Sequence, residues 1–306
     1  MGDIKEIRDR IRSVSDTLKI TNAMYMIASN KLSKAKRAHE QTEPFFMGVK
    51  AMMSRLIRHL PEDTDNKYIE PRVNEEAGEE FIPQKPAMLI ITDDKGMAGP
   101  YNINILKKAV KVIDEYEKRS IACHSYIVGE VGRHYFNRRN INIDESFIYT
   151  AQNPTLSRAR HITAVILHDF EEGRIDSLDI FYTLTNDNMS CEAVEERVLP
   201  LKMLSREKRE LQRTLSNSMI TEEFRIEPSP AILIEKLMES YITDYVYGCL
   251  VESFCSAQLS RMIAMDGASK SAKEMINNLQ KLYNRQRQEA ITQEISETAN
   301  GALFRH

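Results

Sequence analysis

A chain of 306 residues with 42% hydrophobic side chains can form one large or two ordinary domains, and its net charge of −3 argues against a general nucleic-acid binder. Only 11 glycines and 10 prolines punctuate it, and no proline precedes Pro44 or follows Pro230, so both ends lack the strongest helix breaker. No apolar run approaches the ~18–20 residues that cross a bilayer, and the opening MGDIKEIRDR has no signal-peptide core.

Residues 1–60 read as a helix with one narrow apolar stripe. Ile4, Ile7, Ile11, Val14, Leu18, Thr21, Tyr25, Ala28, Leu32 and Ala35 step by three and four, the a/d pattern of a left-handed coiled coil. Pro44 is expected to kink this helix, and Met52, Met53, Leu56 and Ile57 continue it. Residues 61–85 carry eight Asp/Glu against three Lys/Arg and read as an exposed acidic loop or insertion.

Residues 86–205 change character. PAMLIITDD (86–94) is a buried-strand run, followed by the tight turn KGMAG and a helix over 101–119. A strand at 121–129, a short helix at 130–139, a strand-like segment near 143–150, a helix at 154–173, a strand at 177–185 and an extended stretch at 194–201 complete the segment. Strands alternating with helices predict a Rossmann-like α/β domain with a parallel sheet. Residues 206–230 read as a connector.

The last segment, 231–306, mirrors the first. Gly248, Val251, Cys255, Gln258, Met262, Met265, Ser269, Ala272, Ile276, Leu279 and Tyr283 again step by three and four. Only Gly248 and Gly267 weaken the helix, at modest cost. At 1.5 Å per residue such a helix runs roughly 100 Å, longer than a globular core can cover. The two ends are therefore expected to pair as a long antiparallel coiled coil bracketing the α/β domain, with Thr21, Ala28, Ala35, Ser269 and Ala272 letting the backbones approach closely.

Catalytic signals are weak. Gly96-Met97-Ala98-Gly99 lies between a strand and a helix, but matches neither GxGxxG nor GxxxxGK[ST], and Pro100 removes an amide that could cradle phosphate. A structural turn is the better reading, with Asp93 and Asp94 capping it. The seven histidines show no paired-ligand spacing, and Cys123, Cys191, Cys249 and Cys255 show no CxxC spacing, which predicts no metal, no cofactor and reduced thiols. Basic residues collect on both ends: Lys19, Lys31, Lys34, Lys36 and Arg37 on one, Arg261, Lys270, Lys273, Lys281, Arg285 and Arg287 on the other. A solvated face explains such charges by default, and a collar meeting an acidic partner is the functional alternative.

The segments IKEIRDRIRSVSDTLKITNAMYMIASNKLSKAK (4–36) and SRMIAMDGASKSAKEMINNLQKLYNRQRQEAITQEI (260–295) resemble the gamma subunit of F-type ATP synthase, the central rotor stalk. TDDKGMAGPYN (92–102) and EPSP (227–230) support the resemblance more loosely, whereas YNRQRQEAITQEI is a specific signature. The resemblance implies a non-catalytic shaft inside a ring of alpha and beta subunits. Its α/β foot is implied to bind the epsilon subunit and the membrane c-ring, with no nucleic acid as partner. Ion flow would turn the shaft, which drives each beta-subunit catalytic site through its states in sequence.

By resemblance, Lys19, Met24 and Arg261 are shaft residues near a mobile acidic loop of beta. Arg287, Gln288 and Thr292 fall where the family contacts loops higher up, and Phe224, Ile226 and Glu227 fall on the foot facing the c-ring and epsilon. Asn22 and Tyr25 stand where the family often has basic residues, Gly99-Pro100 where it commonly has paired glycines, and Thr298 and Ala299 where apolar residues are expected, leaving Leu303 and Phe304 as the bearing at the tip. With no organelle transit peptide before the first helix, the expected location is the cytoplasmic side of a bacterial inner membrane, peripherally bound through the complex.

Overall fold

A computed structural model describes residues 2–58, 66–69, 81–186, 190–201 and 229–303. Five helices and four strands occur among them: α1 (Gly2–Arg58), β1 (Pro86–Ile91), α2 (Tyr101–Lys118), β2 (His124–Val128), α3 (Glu130–Arg138), α4 (Leu156–Glu171), β3 (Ser177–Thr185), β4 (Cys191–Leu199) and α5 (Pro230–Leu303). They form two compact units, one of Met1–Lys31 with Leu259–His306 and the other of Leu32–Gln258. The terminal helices contain 57 and 74 residues and contribute to both units. Helix α1 runs through Pro44, whose ring nitrogen has no proton to donate to the preceding turn.

The larger unit is built on a sheet ordered β2-β1-β3-β4. β1 pairs in parallel with β2 and β3, as the strand–helix alternation predicts. β4 differs: it runs antiparallel to β3. Only five residues separate these strands, too few for the crossover that a parallel neighbour needs, so the chain turns back as a hairpin. Its exposed edge carries Glu192, Glu195 and Glu196, which discourage pairing with another chain. The strand expected near 143–150 is also absent. Asp144 accepts from the Ser146 amide at 2.9 Å and from its hydroxyl at 2.6 Å, bending the chain into a turn, and only a single bridge from Tyr149 to Val128 remains.

Both faces of the sheet are covered. Met88, Ile90, Ile127 and Phe181 face α2 and α3 through Ile105, Leu106, Ala109 and Phe136. Ala87, Leu89, Val128, Leu178 and Ile180 belong to the core on the other face, with Ile162 and Ile166 of α4, Ile234, Met238, Ile242 and Val246 of α5, and Met53 and Leu56 of α1. Between Cys249 and Gln258 almost every residue of α5 is buried or half-buried, so here the expected narrow stripe is instead a broad core surface. Residues 66–69 correct the exposed-loop expectation at those positions: Tyr68 is 3% and Ile69 6% exposed. The Tyr68 ring stacks on Phe170, its hydroxyl donates to Glu171 at 2.5 Å, and the Leu201 amide donates to the Tyr68 carbonyl at 2.7 Å.

The turn between β2 and α3 depends on glycine. Gly129 has φ of 98°, and a Cβ placed there would lie 2.5 Å from the carbonyl oxygen of Thr92. Thr92 cannot retreat, since its hydroxyl donates to the Val128 carbonyl at 2.9 Å and accepts from the Gly132 amide at 3.0 Å. Gly129→Ala is therefore expected to cost about 2–3 kcal/mol, combining left-handed strain with a backbone clash. Gly173→Ala, with φ of 67° but open space around it, is expected to cost about 1 kcal/mol. Urea unfolding of the two variants measures the difference.

Candidate functional site

In the smaller unit the two chain ends pair along a narrow seam. On α1, Ile7, Thr21 and Ala28 are buried and Ile4, Ile11, Val14, Leu18 and Met24 half-buried; on α5, Met265, Ser269 and Ala272 are buried and Met262, Ile276, Leu279, Tyr283 and Gln286 half-buried. The hydroxyls of Thr21 and Ser269 meet at 2.8 Å. Thr21 also lies 3.0 Å from the Leu18 carbonyl, to which it donates its one proton, so Ser269 is the donor of the cross-helix bond. From this contact, only an antiparallel register sets Lys31 level with Leu259 and Ile4 level with Gln286. Those are the points where the unit begins and where burial on α5 stops.

Tyr25 is not in the seam as its spacing suggests. It is 39% exposed, while Met24 turns inward. Small side chains hold the backbones close on either side of this position, and the unbranched, flexible thioether fits there better than a phenol ring.

The residues assigned to partner contact by resemblance sit in three environments. Lys19 is solvent-facing and pairs with Asp16 at 3.0 Å, and this neighbouring ammonium holds the Asp16 carboxyl below its ordinary range. Met24 is half-buried, whereas Arg261 is only 8% exposed and already engaged within the protein. Arg287, Gln288 and Thr292 stand on a stretch of α5 whose residues are exposed from Arg287 through Thr298. There the Thr292 hydroxyl donates to the Gln288 carbonyl at 2.9 Å, and Arg285 pairs with Glu289 at 2.9 Å. Lys270 likewise pairs with Asp266 at 2.7 Å, so part of the basic collar is offset by acids on the same helix. Phe224, Ile226, Glu227 and Phe304 lie outside the described residues, as does most of 61–85.

The other place to look for chemistry is the crevice at the carboxyl ends of β1 and β3, where the chain crosses from one side of β1 to the other. Doubly wound folds bind nucleotides in such a crevice. Here α5 fills it. Ala98 and Tyr101, which follow β1, are buried against Ala257 of α5, and the Ser253 and Ser256 hydroxyls bond to the backbone of Thr183 on β3. Burial together with the nearby Asp93 carboxylate pushes the Tyr101 phenol above its ordinary range. Gly96–Gly99 is thus a structural turn. Asp93 and Asp94 serve it: Asp93 accepts from the Asp94 amide at 2.8 Å, and Asp94 accepts from the amides of Glu130, Ala151 and Gln152. Burial raises the Cys123 thiol to about 12 and the Cys255 thiol to about 11, which suppresses the nucleophilic thiolate at neutral pH. Sequence reasoning missed Ser253 and Ser256, since serines inside a helix carry no periodic signal.

Two solved structures share this fold. One is a chain of the Tetrahymena thermophila mitochondrial ATP synthase central stalk and c-ring, with a TM-score of 0.56 and 23% identity over 82% of this chain and 99% of that one. The other is a chain of the Euglena gracilis mitochondrial ATP synthase OSCP/F1/c-ring assembly, with a TM-score of 0.63 and 15% identity over 99% and 94%. The architecture is one found in chains of ATP synthase assemblies. The family model for ATP synthase matches residues 3–303. The ATP synthase gamma chains of Acetivibrio thermocellus and Caldanaerobacter subterraneus subsp. tengcongensis are 38% and 36% identical, the first over 99% of both chains and the second over 97% of this chain and 98% of the relative. The sodium ion specific ATP synthase gamma chain of Acetobacterium woodii is 32% identical over 98% of each. This chain belongs to the ATP synthase gamma chain family.

The donor assignment at the seam gives an asymmetric expectation. Thr21→Val removes the acceptor of a buried hydroxyl and should cost about 1–2 kcal/mol, whereas Ser269→Ala leaves Thr21 bonded to Leu18 and should cost about half as much. A double-mutant cycle by urea unfolding should return a coupling of about 1 kcal/mol.

Proposed function

We propose that this chain is the central-stalk rotor of an F-type ATP synthase, coupling ion-driven rotation of a membrane c-ring to successive conformational changes at the catalytic sites of the beta subunits. The observation that carries the proposal is the distribution of burial on α5: one narrow seam faces α1, and past Gln286 every described side chain through Thr298 is exposed. A helix pair of this kind offers most of its circumference to surrounding subunits. Membership of the gamma chain family supports the same reading.

Such a shaft makes and breaks no bond, so its role is non-catalytic. It acts by contacting differently each of the states a beta subunit can adopt, and so biases which state is populated. An asymmetric pair of helices presents a different face to each catalytic site at any moment. Lys19, Met24 and Arg261 on the paired stretch, and Arg287, Gln288 and Thr292 on the unpaired one, are the proposed contacts with the alpha–beta hexamer. Phe224, Ile226 and Glu227 are proposed to face the c-ring and epsilon subunit. No helix among the described residues is long and apolar enough to cross a membrane. Peripheral attachment through the complex, at the cytoplasmic face of a bacterial inner membrane, is part of the same proposal. The segments proposed are the shaft helices 1–60 and 231–306, the acidic insertion 61–85, the foot 86–205 and the connector 206–230.

Co-expression with alpha and beta subunits tests the proposal: one copy of the chain per hexamer and greatly increased ATP hydrolysis are expected, and failure to join any hexamer would refute it. Within an assembled complex, Arg287→Ala combined with Gln288→Ala should lower torque or complex stability several-fold more than Lys107→Ala, an exposed substitution on α2. Equal effects of the two would count against the contact assignment.

A further inference from the structure

β3 is longer than its neighbour β1. Their pairing ends at Ile90 with Phe181, yet β3 continues to Thr185. On the far side β4 still pairs with it, so the unpaired edge is the one β1 has left, and an unpaired, buried strand edge is costly. Two serines of α5 complete it. Ser253 Oγ accepts from the Thr183 amide at 3.2 Å, and Ser256 Oγ donates to the Thr183 carbonyl at 2.9 Å. Lying three residues apart, the serines share one helical face and reach the N–H and the C=O of the same residue. Ser256 Oγ also meets Thr185 Oγ1 at 2.8 Å. Ser253 is 1% exposed and Ser256 fully buried.

We propose that Ser253 and Ser256, bound to the backbone of Thr183, form a torsional clamp that fixes α5 against rotation on the sheet. The inference rests on the rotor reading above. Apolar packing opposes separation and large rotations of the helix, but it is less sensitive to small angular displacements than directional bonds are. Hydrogen bonds weaken steeply with misalignment, so bonds from two points on one helical face to the backbone of a single residue oppose such turning. The position fits the task, since the clamp lies within a few residues of Gln258, where α5 leaves the larger unit.

The test uses Ser253→Ala with Ser256→Ala, and Thr185→Val as a milder variant at the half-buried rim. Hydrogen exchange of the full chain should accelerate about tenfold or more at the Thr183 amide, the consequence of losing its partner, while the Ile180 and Phe181 amides stay protected. In a hexamer fixed to a surface, a bead on the α/β unit should show a broader angular spread in the double variant and a smaller broadening in Thr185→Val. Unchanged exchange at Thr183 would refute the clamp, and so would faster exchange with an unchanged spread in an assembled complex. Failure of the unsubstituted chain to assemble would instead refute the rotor reading, and with it the torsional role.

Discussion

The close approach of the two chain ends governs how the paired unit presents itself. Thr21 and Ser269 sit within hydrogen-bonding distance, flanked by the buried alanines Ala28 and Ala272. Helices that meet so closely share little surface, so most side chains on both face outward. Ile20, Met26 and Ile27 on α1 and Ile263 on α5 are between 55% and 67% exposed. In an ordinary monomer such a band would invite aggregation. In the rotor proposed above, enclosed by other subunits, it would supply an apolar surface against which a sleeve can slide.

The same helix meets opposite demands along its length. In the α/β unit α5 is surrounded: Ile234, Met238, Ile242 and Val246 are fully buried, and polar groups appear where it crosses the sheet. In the paired unit it touches one neighbour along one stripe. The sheet has the strand order of a nucleotide-binding fold, but its crevice holds a helix instead of a ligand. Topology therefore describes how the unit is built, and the occupant of the crevice describes what it does.

Much of this was legible in the sequence because it depends on period. The stripe from Met262 to Tyr283 is buried or half-buried as its three-four spacing requires, and the strands expected within 86–94, 121–129 and 177–185 form β1, β2 and β3, with β1 parallel to both others. What was missed depends on partners distant in sequence. Tyr25 and Met24 both satisfy the spacing, and only the width of the seam separates them. Tyr68 and Ile69 lie in an acidic stretch whose composition hides two core residues, and β4 reverses because of loop length and not of strand propensity. Between Cys249 and Gln258 α5 repeats the spacing of a seam, yet the core on one face of the sheet covers it. Of the proposed contact residues, Arg261 could not be told from Lys19 by spacing, although the structure buries one and leaves the other in water.

The exposed end of α5 can also be treated as a helix–coil problem. A peptide cut to the residues beyond Gln286 would be marginally helical in water, since starting a helix costs about 4 kcal/mol. In the chain that nucleation is already complete, supplied by the paired turns below, and each further residue needs only to propagate. Pairs such as Gln293 with Glu297, 3.0 Å apart, help it to do so. The tip is thus helical by inheritance: its turns propagate from the seam, and any loosening at Ile4 or Gln286 would reach residues that neither of them touches.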